Sequence, residues 1–340
     1  MKKPTGQSSL LFLKESETGE LVQIPLLKPN SAPKRLGIRY SIDGSWNEEF
    51  KFWKQFTDNF ADSVKKAQLD TIGGYHSYAT MWCSKFRYCS PCMGFNSSRL
   101  EVITKKFIGP SLAAAGYSSR MPRAVVFGPQ RYGGMHWETP LSILLTAQLT
   151  ILIDLLRLND IIGKLERIQL EWIQLHAGLG TPLLETGEVL EYIPSGWIVN
   201  LHRLLVEAGL TVKIDKVWKA KIQRTNDRII MEYVQENLPE WMWGSINKCR
   251  LYLQAVVLSD LADISGQKIS TAIYQVVGCY RKRRLAFLTQ TEPTDNDINT
   301  WQYFIRHITE DGKTLYTPLG DWEKNPYQQY PYAMDLQTKL

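Results

Sequence analysis

Apolar residues recur at three- and four-residue intervals through most of this chain. That period commits it to helices packed through one face. The clearest case is Phe50, Trp53, Phe56, Phe60 and Val64, with Lys54, Asp58, Asp62 and Lys65 largely off the stripe. Such a stripe reads as core packing rather than as a ligand surface. Ser45 and Glu48 stand at capping-box spacing before it, so the helix is predicted to start at Ser45. Further helical patterns run from about Thr71 to the residues before Pro91, and from Ser97 to Ala115 with Gly116 as a stop. Others cover Pro140 to Leu158, Gly163 to Leu175, Gly196 to Ala208, Thr225 to Asn237 and Trp241 to Ile264.

Strand signals are few. Leu10 to Leu13 and Leu21 to Leu26 are apolar runs joined by the polar turn Glu15 to Gly19, a hairpin pattern. Leu36 to Tyr40 reads as a third short strand, and Ala124 to Phe127 as another that leads into the glycine-rich turn Gly128 to Gly134. The fold class is therefore mainly α with a small N-terminal β element. The expected division is a β element at 1–44, a helical domain at 45–135, a second helical domain at 136–291 and an irregular acidic tail at 292–340. The tail has eight acids, four bases and weak periodicity.

At 340 residues the chain is long enough for two globular domains. With 44% hydrophobic and 22% charged residues, disorder throughout, a collagen-like fibre and a disulfide scaffold are excluded. Five cysteines, an odd number, favour a reducing compartment. The most apolar stretch, Leu141 to Ile153, reaches 13 residues before Asp154 and Arg157. A spanning helix needs about 20 apolar residues, so a buried core helix is expected, with no membrane partner. The predicted location is intracellular, cytoplasmic or nuclear.

Familiar chemical signatures fail on inspection. Cys89-Ser90-Pro91-Cys92 has the spacing of half a zinc knuckle or a redox pair, but no second pair accompanies it. Asp295 to Asn299 resembles the opening of a calcium loop, yet Thr300 and Arg306 stand where glycine and glutamate are needed. A helix N-cap before Trp301 fits better. The Gly128 to Gly134 turn matches no phosphate-binding fingerprint, and G-x-S-x-G and H-E-x-x-H are both missing from the sequence. An independent enzyme would need His, Asp or Cys side chains that converge, and no pattern here announces them.

Basic clustering is more informative. Arg99, Lys105, Lys106, Arg120, Arg123 and Arg131 face only Glu101 over 33 residues. Lys34-Arg35, the run Arg281 to Arg284, and the stretch Lys213 to Arg228 add to them. Lysine and arginine along a groove neutralise phosphates and bind in a salt-dependent way. Tyr117, Phe127 and Tyr132 lie among the first cluster, where they could stack on bases. The plain alternative is that these bases are solvated, or pair internally with the acidic tail.

An ordered series of segments carries a resemblance. It runs through Glu17-Thr18-Gly19, Ile24-Pro25-Leu26, Lys34 to Ile38, Asp43 to Phe50, Gly116-Tyr117, Pro122 to Pro129 and Tyr132-Gly133-Gly134. It continues through Gly163 to Leu175, Ile246 to Gln254 and Leu258-Ser259-Asp260. In this order the segments resemble the region downstream of the catalytic palm in retrotransposon-type reverse transcriptases. The resemblance implies that Leu36-Gly37 matches the hairpin that helps hold the primer end. It also implies that the helices from Ser45 onward correspond to the thumb and C-terminal connection.

An RNA/DNA duplex is then the implied partner, held mainly through phosphates by Lys34, Arg35, Arg99, Lys105, Lys106, Arg120, Arg123 and Arg131. The family's Tyr-x-Asp-Asp motif is missing, and no two aspartates are adjacent in this chain. Polymerisation needs two metal ions held about 4 Å apart by clustered carboxylates. The expectation is therefore a chain that is not an enzyme on its own. Magnesium is expected only on a palm, which would lie upstream in a longer polypeptide. After Tyr132-Gly133-Gly134 the sequence departs from the family, with Met135-His136-Trp137-Glu138 in place of glycine and apolar residues. The runner-up expectation is a structural or protein-interaction remnant with no nucleic-acid activity.

Overall fold

A computed structural model describes residues 11–14, 19–24, 27–215, 217–222, 224–269 and 292–322. The protein is mainly helical, with small antiparallel β elements near its N-terminus. Two compact units divide the chain, Met1–Leu144 and Leu145–Leu340.

In the first unit, β1 (Leu11–Lys14) pairs antiparallel with β2 (Leu21–Ile24), with Leu11 opposite Ile24, as the apolar runs predict. Residues 15–18 of the predicted turn lie outside the described residues. Leu36 to Tyr40 is not one strand. β3 (Lys34–Arg35) and β4 (Ile38–Arg39) form a hairpin whose loop is Leu36-Gly37. Both loop residues have positive φ, +46° and +90°, which is the backbone twist a two-residue hairpin loop needs.

Helix α1 (Asn47–Lys66) carries the aromatic stripe and buries Trp53, Phe60 and Val64. Its start differs from the predicted one. Trp46 is the N-cap and lends no side-chain cap, and Ser45 lies outside the helix. The reason is local: the Asp43 carboxylate accepts from the Ser45 backbone N–H at 2.9 Å and from the Ser41 hydroxyl, fixing a turn there. Glu48 pairs with Lys51 at 2.6 Å instead of capping. The neighbouring Glu49 is fully buried and accepts from the Arg39 backbone N–H at 2.7 Å and from Trp53 Nε1 at 2.9 Å. That pair of bonds pins β4 to α1.

The predicted second helix is a composite. α2 (Thr71–His76) is capped by Asp70 and runs through a π turn, Ser77–Trp82, into α3 (Cys83–Cys89). Gly74 lies against the backbone of α4 (Ser97–Ala114), where an added Cβ would come within 2.5 Å of Ala114. Trp53, Tyr78, Trp82, Phe86, Phe107 and Trp137 make the aromatic centre of the unit. Trp82 and Phe107 rings lie 4.2 Å apart, and Tyr78 and Trp137 stack at 4.8 Å.

Ala124 to Phe127 is a helix rather than a strand, α5 (Arg123–Phe127). The Pro122 carbonyl accepts from the Val125 and Val126 N–H groups and starts the turn. The returning chain then donates from Met135, Trp137 and His136 to the carbonyls of Val125, Val126 and Gly128. A five-residue helix leaves such carbonyls free, and here backbone satisfies them.

Helix α6 (Pro140–Arg157) begins at Pro140 as predicted, and the division between units falls within it. By length and composition it is long and apolar enough to cross a membrane, with a third of it buried. Ile143, Leu144, Gln148 and Leu152 are buried, while Ser142, Thr146, Thr150, Asp154 and Arg157 form a more exposed polar line.

In the second unit, α7 (Ile161–Ala177) is capped by Asp160, and α8 (Trp197–Glu207) ends before Gly209. Leu175, Ala220, Ile229, Leu251, Val256 and Val257 form a core cluster flanked by Trp172 and Trp218. Two predicted helices are shorter than expected. α9 (Ile230–Asn237) starts five residues after Thr225, because the Asp227 carboxylate holds a turn through Arg228 N–H and the Ser259 backbone and hydroxyl. α10 (Glu240–Leu253) stops at Gln254, whose φ of +60° ends the helix. The tail is the largest correction. Residues expected to be irregular include α11 (Asp295–Ile308), which buries Trp301, Phe304, Ile305 and Ile308 and packs on α10. Thr294 and Asp297 cap it reciprocally, and Asp297 also accepts from Lys248 at 2.7 Å. Residues 323–340 lie outside the described residues.

Candidate nucleic-acid interface

Charge is distributed unevenly along the sequence. Residues 1–144 hold 19 lysines and arginines against 11 aspartates and glutamates, a net of +8. Residues 145–340 hold 21 against 23. The first unit thus carries the whole excess of positive charge.

The predicted contact residues fall into two groups within that unit. Arg99, Lys105 and Lys106 on α4 are engaged internally. Arg99 donates to Asn47 Oδ1 at 2.6 Å and lies 5.2 Å from the Phe50 ring centre. Lys105 pairs with Glu101 at 2.7 Å, one turn away, and Lys106 pairs with Asp58 on α1. The other group meets no carboxylate among the described residues. Lys34 and Arg35 are exposed on β3, where Arg35 reaches Tyr40 Oη at 3.4 Å. Arg120, Arg123 and Arg131 are exposed, and the Arg123 guanidinium donates to the carbonyls of Ser119 and Met121.

The structure brings Lys105 and Arg123 to one groove. It has a volume of about 430 Å³, an apolar floor of Leu100, Ile108, Phe127 and Leu141, and a rim that includes Glu101. Phe127, a candidate for base stacking by sequence, is half-buried in this floor.

The β3–β4 hairpin is buttressed from α3. Tyr88 Oη donates to the Leu36 carbonyl at 3.1 Å, and the Tyr88 ring lies where a Cβ on Gly37 would sit at 3.1 Å. Leu36 is 88% exposed at the tip. The hairpin therefore presents Lys34, Arg35 and Leu36 from a braced position.

Two cations at this hairpin, one on β4 and one on α3, escape the sequence reading. Arg39 lies 4.0 Å from the Phe52 ring centre, and Lys85 lies 3.7 Å from that of Phe56. The signal was Phe52, which stacks on Phe56 at the half-buried edge of the stripe. Such rings attract cations through their negative faces.

The basic stretch from Lys213 to Arg228 is partly structural. Arg224 is buried, donates to the Gly320, Asp263 and Ile264 carbonyls, and lies 4.7 Å from the Trp322 ring centre. Arg228 pairs with Glu236. Lys216 and the run Arg281 to Arg284 lie outside the described residues.

Two buried thiols and a buried histidine are held in their neutral forms. Burial pushes the Cys83 and Cys89 thiols up to about 11, although Cys92 is exposed. His176 is lowered to about 4, first by burial and then by the Arg250 guanidinium. Among the described residues no three His, Cys, Asp or Glu side chains converge on a metal position. A scan against protein-family models finds no match, and neither curated proteins nor solved structures yield one.

Proposed function

We propose that this chain carries the thumb and C-terminal connection of a retroelement reverse transcriptase and holds nucleic-acid backbone. The observation that carries the reading is the concentration of the net positive charge in residues 1–144. Arg120, Arg123 and Arg131 are exposed there without a carboxylate partner among the described residues. Guanidinium groups placed in this way bind phosphate oxygens and release counterions, a mode of binding indifferent to base sequence. The chain adds no nucleotide itself, because its sequence has no adjacent aspartates to hold a metal pair.

The test is fluorescence anisotropy of the full chain with a labelled RNA/DNA duplex across a potassium chloride series. The logarithm of the association constant should fall linearly with the logarithm of salt. R120E/R123E should flatten that slope by about 2, one for each phosphate no longer neutralised. Binding that ignores salt, or that survives the double substitution unchanged, overturns the reading. Primer extension with magnesium and nucleotides should give no product.

A structural or protein-interaction role is the second reading. The internal engagement of Arg99, Lys105, Lys106 and Arg224 favours it. Salt-independent, weak binding would support it.

A further inference from the structure

The turn after α5 is held by its own backbone. Tyr132 N–H donates to the Pro129 carbonyl at 3.0 Å, Gly133 to Gln130 at 2.9 Å, Gly134 to Pro129 at 3.1 Å and His136 to Gly128 at 2.9 Å. The glycines are required. A Cβ on Gly134 would overlap the Gly128 carbonyl, a Cβ on Gly128 would overlap that of Ala124, and Gly133 has φ +80°. The result is a stiff loop with Gln130, Arg131 and Tyr132 exposed at its tip.

Tyr132 is 75% exposed. The Arg131 guanidinium carbon lies 4.7 Å from its ring centre. Among the described residues the ring has no aromatic neighbour and its hydroxyl makes no hydrogen bond, and Arg131 has no acidic partner. Packing among the described residues therefore does not account for this pair. A cation lies against one face of the ring, and three quarters of the residue remains exposed.

We infer that Arg131 and Tyr132 form a stacking platform for an unpaired nucleobase. The inference rests on the proposed nucleic-acid reading and extends it from duplex phosphates to a single-stranded nucleotide. Every base has a flat π-face, so an exposed aromatic ring accepts any of them. The guanidinium behind the ring strengthens its hold on the base and supplies a charge for the adjoining phosphate. A base inside a duplex has both faces occupied and cannot use the site.

The experiment compares two ligands with the full chain. One is a duplex whose two ends are closed by non-nucleotide ethylene-glycol linkers, so that it offers no unpaired base. The other is the same duplex with a single-stranded extension containing 2-aminopurine. Wild type should quench the 2-aminopurine fluorescence, and Tyr132→Ala should not. Affinity for the extended ligand should drop about 5- to 100-fold in Tyr132→Ala. Affinity and salt slope for the closed duplex should stay unchanged. Tyr132→Phe, which keeps the ring, should behave as wild type, and circular dichroism should show both variants folded. Equal losses on both ligands, or no loss on either, overturn the stacking site. If wild type binds neither ligand, the nucleic-acid reading itself fails and the platform with it. If wild type binds both with a steep salt slope and Tyr132→Ala changes nothing, only the platform fails.

Discussion

His176 is buried with its ring 4.1 Å from that of Trp172, and its Nε2 has no hydrogen-bond partner among the described residues. Burial, aided by Arg250, lowers its pKa to about 4 in the folded protein, against an ordinary 6.5. The unfolded chain therefore binds the proton more readily between these values. Stability from this group is fully present above pH 6.5 and is lost as pH falls toward 4. The loss amounts to about 3 kcal/mol over that window. Urea midpoints of the full chain should drop between pH 6.5 and 4.5. His176→Leu should flatten the drop in part, the remainder coming from His202, whose pKa burial also lowers. A pH profile identical to wild type would contradict this account. Arg250 shows why single residues were hard to read. In the sequence it is one more basic residue. In the fold it is fully buried and caps the end of α7 by donating to the Leu175 and His176 carbonyls at 2.9 and 2.8 Å. Its charge answers the negative end of that helix, a role no local pattern announces.

At the scale of elements, the helical period was legible because it reports which side faces the core. Helix ends were less so. Asp70, Asn96, Asp160 and Thr294 all cap helices through their side chains. Ser45 stands one position before the N-cap Trp46, and its hydroxyl makes a long contact, 3.4 Å, with the Asn47 N–H at the first helical position. The capping box Thr294-x-x-Asp297 bears out the helix N-cap expected before Trp301, while the low periodicity of the tail concealed how far the helix runs. Ala124 to Phe127 misleads because β-branched residues favour a strand only where a neighbouring strand packs beside them. The contact of α2 with α4 gives a sharp prediction. Gly74→Ala must force the α4 backbone away and should cost about 1–3 kcal/mol by chemical denaturation. The exposed line Ile161, Leu165 and Ile168 on α7 gives the opposite expectation. Leu165→Lys, with 58% of the residue exposed, should leave stability to urea within about 0.5 kcal/mol of wild type.

For the whole molecule, net charge understates the field near the first unit. A chain of +6 that concentrates +8 in residues 1–144 presents a stronger pole than its average indicates. On heparin, R120E/R123E/R131E should elute at clearly lower salt than wild type. K219E/K268E/K313E, which removes as much charge from the second unit, should shift elution far less. Equal shifts would mean that only total charge matters. The basic bias of the candidate site was visible in the sequence. Its division into engaged and free residues was not, because Lys106 meets Asp58 from a different helix, 48 residues away.

The π turn between α2 and α3 also governs which changes in chain length the first unit can absorb. The Cys83 N–H reaches back five residues to Tyr78, so Ser77–Trp82 holds one residue more than an α-helix would need. Loss of the exposed Met81 would let the segment relax into a regular helix with Phe86 still facing inward. Loss of a residue within Phe50–Val64 would swing the rest of α1 by about 100° and turn its aromatic stripe out of the core. Descendants of this sequence should therefore shorten at the π turn and keep the length of α1.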